Sequence, residues 1–313
     1  MKILFDGSSS FTGYWFIKEL HGAGHEVVAH FQQKPEGFEG IRKERVALLQ
    51  SLCTPVIGKY FGDDEFIALI KSSKWDLFCH HAADVTNYRS PDFNVIKALQ
   101  GNTLNISEVL DSLKEQDCDH LLVTGSLFEQ NEGSGDEPLN AFSPYGLSKG
   151  LTWEIFKYYT QAKGMSIGKF VIPNPFGPYE EPSPTFTSYL IESWLKKEVP
   201  KIKTPKYIRD NMHVSLLAKA YKEFAESLIS QKGVLRINPS QYVKSQGDFG
   251  KQFADEMKIR LNVDCPIEIF DQVDFPQPRK RVNTTKLNAK ELGWDEKTAW
   301  DDLAEFYISH YRK

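Results

Sequence analysis

Lys2-Ile3-Leu4-Phe5-Asp6-Gly7-Ser8-Ser9-Ser10-Phe11-Thr12-Gly13 opens the chain, and Glu26-Val27-Val28-Ala29-His30 follows a short helical pattern carried by Trp15, Phe16 and Leu20. The apolar run Lys2–Phe5 reads as a strand that stops at a glycine-bearing turn, and Glu26–His30 reads as a second strand. Strand, turn, helix and strand in the first thirty or so residues make a βαβ unit. Such a turn aims backbone N–H groups and a helix N-terminus at a pyrophosphate, because the first N–H groups of a helix have no partner inside it. Gly7 and Gly13 bound the turn, with Ser10 midway, and Ser8, Ser9, Ser10 and Thr12 add hydroxyls that suit phosphate. Gly7, Ser9, Ser10, Phe11, Thr12 and Gly13 are therefore the candidate cofactor-binding residues of this turn. A plain strand–helix turn is the alternative.

The alternation continues. A helix is expected over 41–52, a third strand from Pro55 to Gly58, and a helix over 65–72 after Gly62-Asp63-Asp64. Trp75 to Ala83 reads as a fourth strand, apolar enough to be covered on both faces of a parallel sheet, with small residues Ala82 and Ala83 where a cofactor would lie close. One long helix is expected over 93–115, a fifth strand at His120–Thr124, a helix from Pro144 to about Ala162 and a sixth strand at Gly168–Ile172. This order predicts an α/β fold, a doubly wound parallel (Rossmann) sheet whose ligands sit beyond the carboxyl ends of the strands. Gly7, Ala82, Ala83, Thr124 and the segment before Tyr145 all fall there. Pro173 to Pro178 breaks the regular pattern, and helices are expected at 187–197, 216–230, 248–261, 284–294 and 299–311. A dinucleotide-binding domain is expected over 1–174, with 207–234 returning to it. A smaller substrate-binding lobe would comprise 175–206 and 235–313.

The end of the second strand bears on cofactor type. An acidic residue there holds a ribose 2′-hydroxyl, and a basic one suits a 2′-phosphate. His30-Phe31-Gln32-Gln33-Lys34 has no carboxylate, so His30 and Lys34 are candidate contacts and NADP is expected, with NAD as the alternative.

With 313 residues the chain can bury a substantial core, and its net charge of -4 mixes both signs. That balance gives no support for nucleic-acid or membrane-surface binding, and no apolar run approaches the ~18 residues of a membrane span. Four cysteines, Cys53, Cys79, Cys118 and Cys265, lack paired spacing and suit a reducing cytoplasm. The first residues run directly into a strand, so no leader peptide is expected. His80 and His81 are the only adjacent histidines; neighbours on a strand point to opposite faces, and no metal site is expected.

Ser143-Pro144-Tyr145-Gly146-Leu147-Ser148-Lys149 carries the chemistry. Tyr145 and Lys149 lie one helical turn apart on one face, and Pro144 sits at the helix start, where its missing N–H costs nothing. A free tyrosine ionises near pH ~10; an ammonium ~4 Å away at an effective dielectric of ~20 favours the phenolate by roughly 4 kcal/mol, about three pKa units. Such a phenol exchanges protons with an alcohol or ketone near neutral pH. The plain alternative is a surface pair on an amphipathic helix.

Taken together these residues resemble the extended short-chain dehydrogenase/reductase family of nucleotide-sugar epimerases, dehydratases and reductases, over nearly the whole chain. Gly7 and Gly13 match its glycine turn, with Ser10 replacing the middle glycine. Gly62-Asp63 matches its Gly-Asp, whose aspartate contacts adenine, and His80-His81-Ala82-Ala83 its His-x-Ala-Ala. Thr124, Tyr145 and Lys149 match its Ser/Thr and Tyr-x-x-x-Lys. Asn174-Pro175-Phe176-Gly177-Pro178 resembles its substrate loop, and Arg209-Asp210-Asn211-Met212-His213-Val214 its Arg-Asp-x-x-His-Val. Thr285-Lys286-Leu287 and Glu291-Leu292-Gly293-Trp294 resemble its C-terminal motifs. Leu99 stands where the family often has asparagine.

The resemblance implies that Tyr145 is the acid/base, that Lys149 lowers its pKa and holds the nicotinamide ribose, and that Thr124 bonds the reacting oxygen, with Ser126 as the fallback. Asn174, Arg209 and Arg279 (or Arg281) would bind a nucleotide-sugar substrate, the arginines through its diphosphate. The 4,6-dehydratases carry acidic residues just after the threonine; here Gly125 and Ser126 stand there, and Glu129 lies further on. A 4-keto reductase is expected, with an NAD-retaining 4-epimerase as the alternative and a non-catalytic dinucleotide-binding protein as the alternative from another class. A homodimer in the cytoplasm is expected. His80 and His81 read as structural, and His213 as packing or orienting Arg209.

Overall fold

A computed structural model describes residues 1–182 and 185–311. Strands β1 (Lys2–Phe5), β2 (Glu26–Phe31), β3 (Thr54–Ile57), β4 (Leu77–His80), β5 (His120–Ser126) and β6 (Ser166–Ile172) alternate with helices. Beyond them, β7 (Asn174–Phe176) and β8 (Ile208–His213) leave the sheet, β9 (Val234–Ile237) returns to its edge, and β10 (Tyr242–Ser245) pairs antiparallel with β8. The seven-stranded sheet runs β9-β6-β5-β4-β1-β2-β3, and every pairing in it is parallel. The chain winds outward from β1 to β3 and then from β4 to β9 on the other side. The order therefore reverses between β1 and β4, where the carboxyl ends of two neighbouring strands splay apart and leave a crevice.

Local chemistry fixes the helix starts. Ser10 caps α1 (Phe11–Gly22), Asp63 caps α3 (Asp64–Lys71), and Ser143 caps α6 (Pro144–Ala162); each side chain accepts an N–H of the first turn. The helix α2 (Gly40–Leu49) lies between α1 and β3 in sequence. Phe16, Tyr221 and Phe224, the last two from α8 (Val214–Leu228), cover one face of the sheet against Phe5 and Phe170. Phe66, Trp153 and Phe156 cover the other against Phe78 and Leu121. A third apolar cluster joins Phe176 to α7 (Phe186–Leu195), α9 (Gln246–Leu261) and α10 (Glu296–Tyr311) through Ile191, Phe249, Phe253 and Trp300.

Two expected helices differ. The long one divides into α4 (Val95–Asn102) and α5 (Ile106–Glu115). Asn105 adopts a left-handed φ of 49°, its amide donates to the Gly62 carbonyl at 2.9 Å, and a Cβ on Gly62 would sit 1.9 Å from the Leu104 carbonyl oxygen. The break exists so that this turn can press on Gly62. The helix expected over 284–294 is absent: Thr285–Lys286 pairs as a strand with Pro239–Ser240, and turns follow. No helix among the described residues is long and apolar enough to cross a membrane.

Candidate active site

The crevice begins at Gly7. Its φ is +73°, and a Cβ there would lie 2.6 Å from the Ala82 nitrogen, so only glycine lets the first loop meet the end of β4. The fully buried Asp6 carboxylate holds that end in place: Oδ1 accepts from the His81 and Ala82 N–H groups at 2.6 and 2.7 Å, and Oδ2 pairs with His80 Nδ1 at 2.6 Å. Burial alone would raise the Asp6 pKa, but His80 and the Ala82 N–H hold it below the usual range. This is why β4 ends at His80, short of the expected Ala83. Ser10 has ordinary extended backbone, φ -71° and ψ 164°, so a side chain is tolerated where the family has glycine. Its hydroxyl accepts from Gly13 N at 3.0 Å and donates to the Gly7 carbonyl at 2.9 Å. Gly13 itself does not reach the crevice; a Cβ there would strike the Gly7 carbonyl oxygen at 2.6 Å, so its place is the packing of the turn.

Tyr145 and Lys149 project from α6. Gly146 and Gly150, each one residue on, let the segment after β5 press against the helix: added Cβ atoms would meet the Phe128 carbonyl oxygen at 2.1 Å and the Gln130 amide at 2.4 Å. Lys149 Nζ donates to the Thr124 carbonyl at 2.6 Å. The Tyr145 ring packs edge-on against Tyr88 and Phe93. The expectation that Lys149 draws the Tyr145 phenol down is corrected for the protein without its cofactor. Burial pushes the phenol above its ordinary pKa, and Glu129 and Tyr88 push the same way. Burial also lowers the Lys149 pKa, against the pull of Glu129.

Behind the loop after β5 lies a buried ionic network. Lys169 Nζ on β6 is 2.6 Å from Glu129 and 2.5 Å from Glu132, and all three are at most 2% exposed. Glu129 Oε1 also accepts from the Ser126 N–H at 2.6 Å. Both Glu129 oxygens are thus occupied, and the residue does not line the crevice, so it cannot stand in for the acid of a dehydratase.

The crevice is a single cavity of about 1420 Å³ running from the first loop to the C-terminal cluster. That exceeds the ~300–1,000 Å³ of a typical small-ligand site and leaves room for two ligands. Gly7, Ser9, Ser10, Phe11, Thr12, His30, Ala82, Ala83, Thr124, Ser126, Tyr145, Lys149, Asn174 and Arg209 all line it. Thr124 Oγ1 turns inward to His81 at 2.9 Å; the Ser126 hydroxyl accepts from Phe128 N at 3.2 Å. Asn174 donates its amide to the Asp210 carbonyl at 3.0 Å. Arg209 stacks over Phe142 and Tyr207, donates only to the Ile208 and Arg279 carbonyls, and makes no salt bridge among the described residues. Burial lowers its pKa to about 10. Among the described residues no carboxylate lies in salt-bridge contact with it, and it faces the cavity.

Lys34, Asp63, Gly13 and Arg279 do not line the cavity. Lys34 is an exposed residue before a short 3-10 turn. Asp63 spends both oxygens on the Tyr60 and Phe66 N–H groups as a helix cap. Arg279 is exposed and paired with both oxygens of Asp274. Arg281 is buried and tied to the Glu129, Glu132 and Asn140 carbonyls. His213 does not orient Arg209; its Nδ1 caps α8 at Ser215, and burial drops its pKa to about 3.

Sequence reading missed Arg42 as a residue of the cavity. Arg42, on α2, donates through Nε and an Nη to Ser9 Oγ at 3.0 and 2.7 Å and lines the cavity, as Gln32 does. No motif marked it, because the contact joins segments far apart in sequence. Next to it the buried Arg45 donates to the Ser9 and Tyr179 carbonyls and pairs with Glu181, strapping the loop after β7 over the first turn.

The first turn fits a dinucleotide. Ser10 satisfies the Gly13 N–H, while the Phe11 and Thr12 N–H groups have no protein partner among the described residues and face the cavity. No group of three metal-ligating side chains occurs among the described residues.

Comparison with known proteins places this geometry. The model of the NAD dependent epimerase/dehydratase family matches residues 3–235. A Methanocaldococcus jannaschii protein described by inference as a UDP-glucose 4-epimerase is 29% identical over 154 residues, 46% of this chain and 50% of that relative. The chain thus spans about half the length of that curated relative. Among solved structures, UDP-glucose 4-epimerase from Thermotoga maritima, with UDP-glucose, superposes with a TM-score of 0.73 at 16% identity, covering 99% of both chains. A variant of UDP-glucuronic acid 4-epimerase from Bacillus cereus, with NAD and a substrate analogue, gives 0.76 at 15% identity, covering 99% of this chain and 100% of the other. The dTDP-glucose 4,6-dehydratase of Streptomyces venezuelae, with NAD, gives 0.72 at 14% identity, covering 99% of this chain and 98% of the other.

Proposed function

The chain belongs to the NAD dependent epimerase/dehydratase family, and we propose that within it the protein is an oxidoreductase acting at a ring carbonyl or alcohol of a nucleotide-activated sugar, a 4-keto reductase that uses NADPH. The observation that carries this reading is the convergence of Tyr145, Lys149 and Thr124 on one cavity that also holds Arg209, whose guanidinium makes no salt bridge among the described residues. A bound nicotinamide supplies the hydride or accepts it, and its oxidised form adds a positive charge beside the phenol. The first turn and Lys149 hold the dinucleotide, Thr124 (or Ser126) bonds the reacting oxygen, and Arg209 and Asn174 hold the sugar nucleotide, with Arg209 on its diphosphate. Tyr145 gives its proton to the carbonyl oxygen. The phenol carries its proton at neutral pH, as a donor to a carbonyl oxygen must.

NADP is favoured by Arg42. Its guanidinium rests on Ser9 at the mouth of the first turn, lining the same cavity as the end of β2, where 30–34 has no carboxylate, and offers a fork of donors to a 2′-phosphate. A second reading, an NAD-retaining 4-epimerase, is favoured by the solved 4-epimerases that share this fold. We further propose a homodimer through the outer face of α6, where Leu147 and Tyr158 are 39% and 68% exposed. A cytoplasmic site of action suits the four free cysteines.

The two enzymatic readings separate in one experiment. Purified protein is examined by native mass spectrometry and then mixed with NADPH and a 4-keto nucleotide sugar. Release without a resident nucleotide and oxidation of NADPH support the reductase. Tightly held NAD with interconversion of UDP-hexoses and no net NADPH oxidation supports the epimerase.

A further inference from the structure

Asn211 lies within β8, and strand alternation puts its side chain on the same face as Arg209, about 7 Å further along. Both residues line the cavity; Asp210 between them does not, and its carboxylate accepts from the Gln241 and Asn283 N–H groups. Asn211 is only 8% exposed, its Nδ2 is buried without a partner, and neither end of its amide is hydrogen-bonded among the described residues. Other polar side chains of the cavity wall do have protein partners: the Asn174 amide donates to the Asp210 carbonyl, Thr187 donates to Glu180, and Gln246 accepts from Thr204. A buried polar group left unpaired is a net cost to the fold, and it is retained where a ligand supplies the missing partner.

Strand register fixes where along the cavity this amide lies. Ile172, the last residue of β6, pairs with Ser126 of β5. Two residues on, Asn174 of β7 pairs with Asn211 of β8. From the end that holds Thr124 and Ser126, the wall therefore passes through Asn174 and Asn211 before it reaches Arg209. The donor types differ along that path. A guanidinium only donates, which suits phosphate oxygens, whereas a primary amide offers both donors and an acceptor, which suits a hydroxyl. No protein partner fixes which end of the Asn211 amide faces the cavity, and a half-turn about its last side-chain torsion exchanges the two.

We propose that Asn211 is a substrate-specificity residue: its amide hydrogen-bonds a ring hydroxyl of the sugar, between the diphosphate on Arg209 and the reacting carbon at Tyr145. This rests on the reading of the substrate as a nucleotide-activated sugar. Two consequences set it apart from other roles. An amide that serves the sugar affects binding of the nucleotide sugar and not of the bare nucleoside diphosphate, whereas a phosphate ligand would affect both. An amide with no protein partner can be replaced by an apolar side chain of similar size without loss of stability, whereas a structural amide cannot.

The test is calorimetric titration of the full chain with UDP and with UDP-glucose, and with dTDP and dTDP-glucose as a second pair, on the parent, Asn211→Leu and Asn211→Ala. Both variants are expected to bind the sugar nucleotide about 10–100-fold more weakly while the matching nucleoside diphosphate stays within about twofold, because the sugar hydroxyl is left buried without its partner. Thermal unfolding without ligand is expected to place Asn211→Leu at or above the parent midpoint. Equal weakening of the diphosphate and the sugar nucleotide would overturn the proposal, as would unchanged affinity for both. So would a midpoint lowered in both variants, which would show that the amide has a protein partner. A parent that binds neither pair overturns the nucleotide-sugar reading itself; a parent that binds and variants that match it overturn the role of Asn211 alone.

Discussion

Gly146 of α6 faces the Phe128 carbonyl so closely that a Cβ on it would lie 2.1 Å from the oxygen. The helix that carries Tyr145 and Lys149 is thereby seated on the segment that carries Thr124 and Ser126, with no side chain between them. Replacing glycine by alanine inside a helix is ordinarily favourable by about 1 kcal/mol. Here the obstructing atom is main chain and cannot swing aside, so an overpacking cost of about 1–3 kcal/mol outweighs that gain. Gly146→Ala is expected to lower the unfolding midpoint and to reduce kcat, because α6 must move away from β5. An alanine variant more stable than the parent, measured by thermal unfolding, would show that the contact is not there.

The Lys169 ammonium neutralises two buried carboxylates, Glu129 and Glu132. Lys169→Met would leave Glu129 without an ion-pair partner among the described residues, whereas Glu132 also pairs with Arg236. Removing one partner of a buried pair costs about 3–5 kcal/mol. Denaturant unfolding is expected to show a loss of this size for Lys169→Met. Adding Glu129→Gln should restore part of it, because the uncompensated charge is gone. Additive losses in the double variant would contradict the network.

On the proposed NADPH reading, Arg42 separates the two cofactors. A charge-assisted hydrogen bond contributes about 1.5–3 kcal/mol, which is roughly 10–100-fold in affinity. Arg42→Ala is expected to weaken NADPH binding by that factor and to leave NADH binding nearly unchanged, as read by fluorescence titration. Equal weakening of both would place Arg42 away from the 2′-phosphate.

Glu180 links stability to pH. Burial raises its pKa to about 7, partly offset by hydrogen bonds from Thr185 and Thr187. The folded pKa lies above the unfolded one, near 4.5. Between these values the folded state holds the proton more tightly, so the stabilisation is complete below about pH 4.5 and is lost as pH rises through 7. Across that window the parent should lose about 3 kcal/mol relative to Glu180→Gln. Asp210, raised by burial to about 6, has the same sign and is common to both proteins. Unfolding curves at pH 5 and pH 8 that keep a constant difference between the two would contradict it.

Much of this was legible in the chain itself. The strand–helix alternation up to Ile172 and the placement of Gly7, Ala82, Thr124, Tyr145 and Asn174 on one crevice follow from periodicity and from where strands end. What was not legible depends on distant partners. The break at Asn105 answers to Gly62, and the missing helix over 284–294 answers to a strand pairing with Pro239–Ser240. Arg42 reaches Ser9 across 33 residues, and His81 meets Thr124 across 43. Arg279 misled because an arginine near the expected lobe looks the same whether it meets a phosphate or, as here, Asp274. The direction of the Tyr145 pKa was misjudged because a pairwise sum counts the ammonium and omits burial.

The most direct test is Tyr145→Phe, assayed for turnover and for dinucleotide binding on the same preparation. Proton transfer by a positioned side chain contributes about 10²–10⁴-fold, so kcat should fall by that factor while NADPH affinity stays within about twofold. A phenylalanine variant that turns over a nucleotide sugar at the parent rate would contradict the account at its centre.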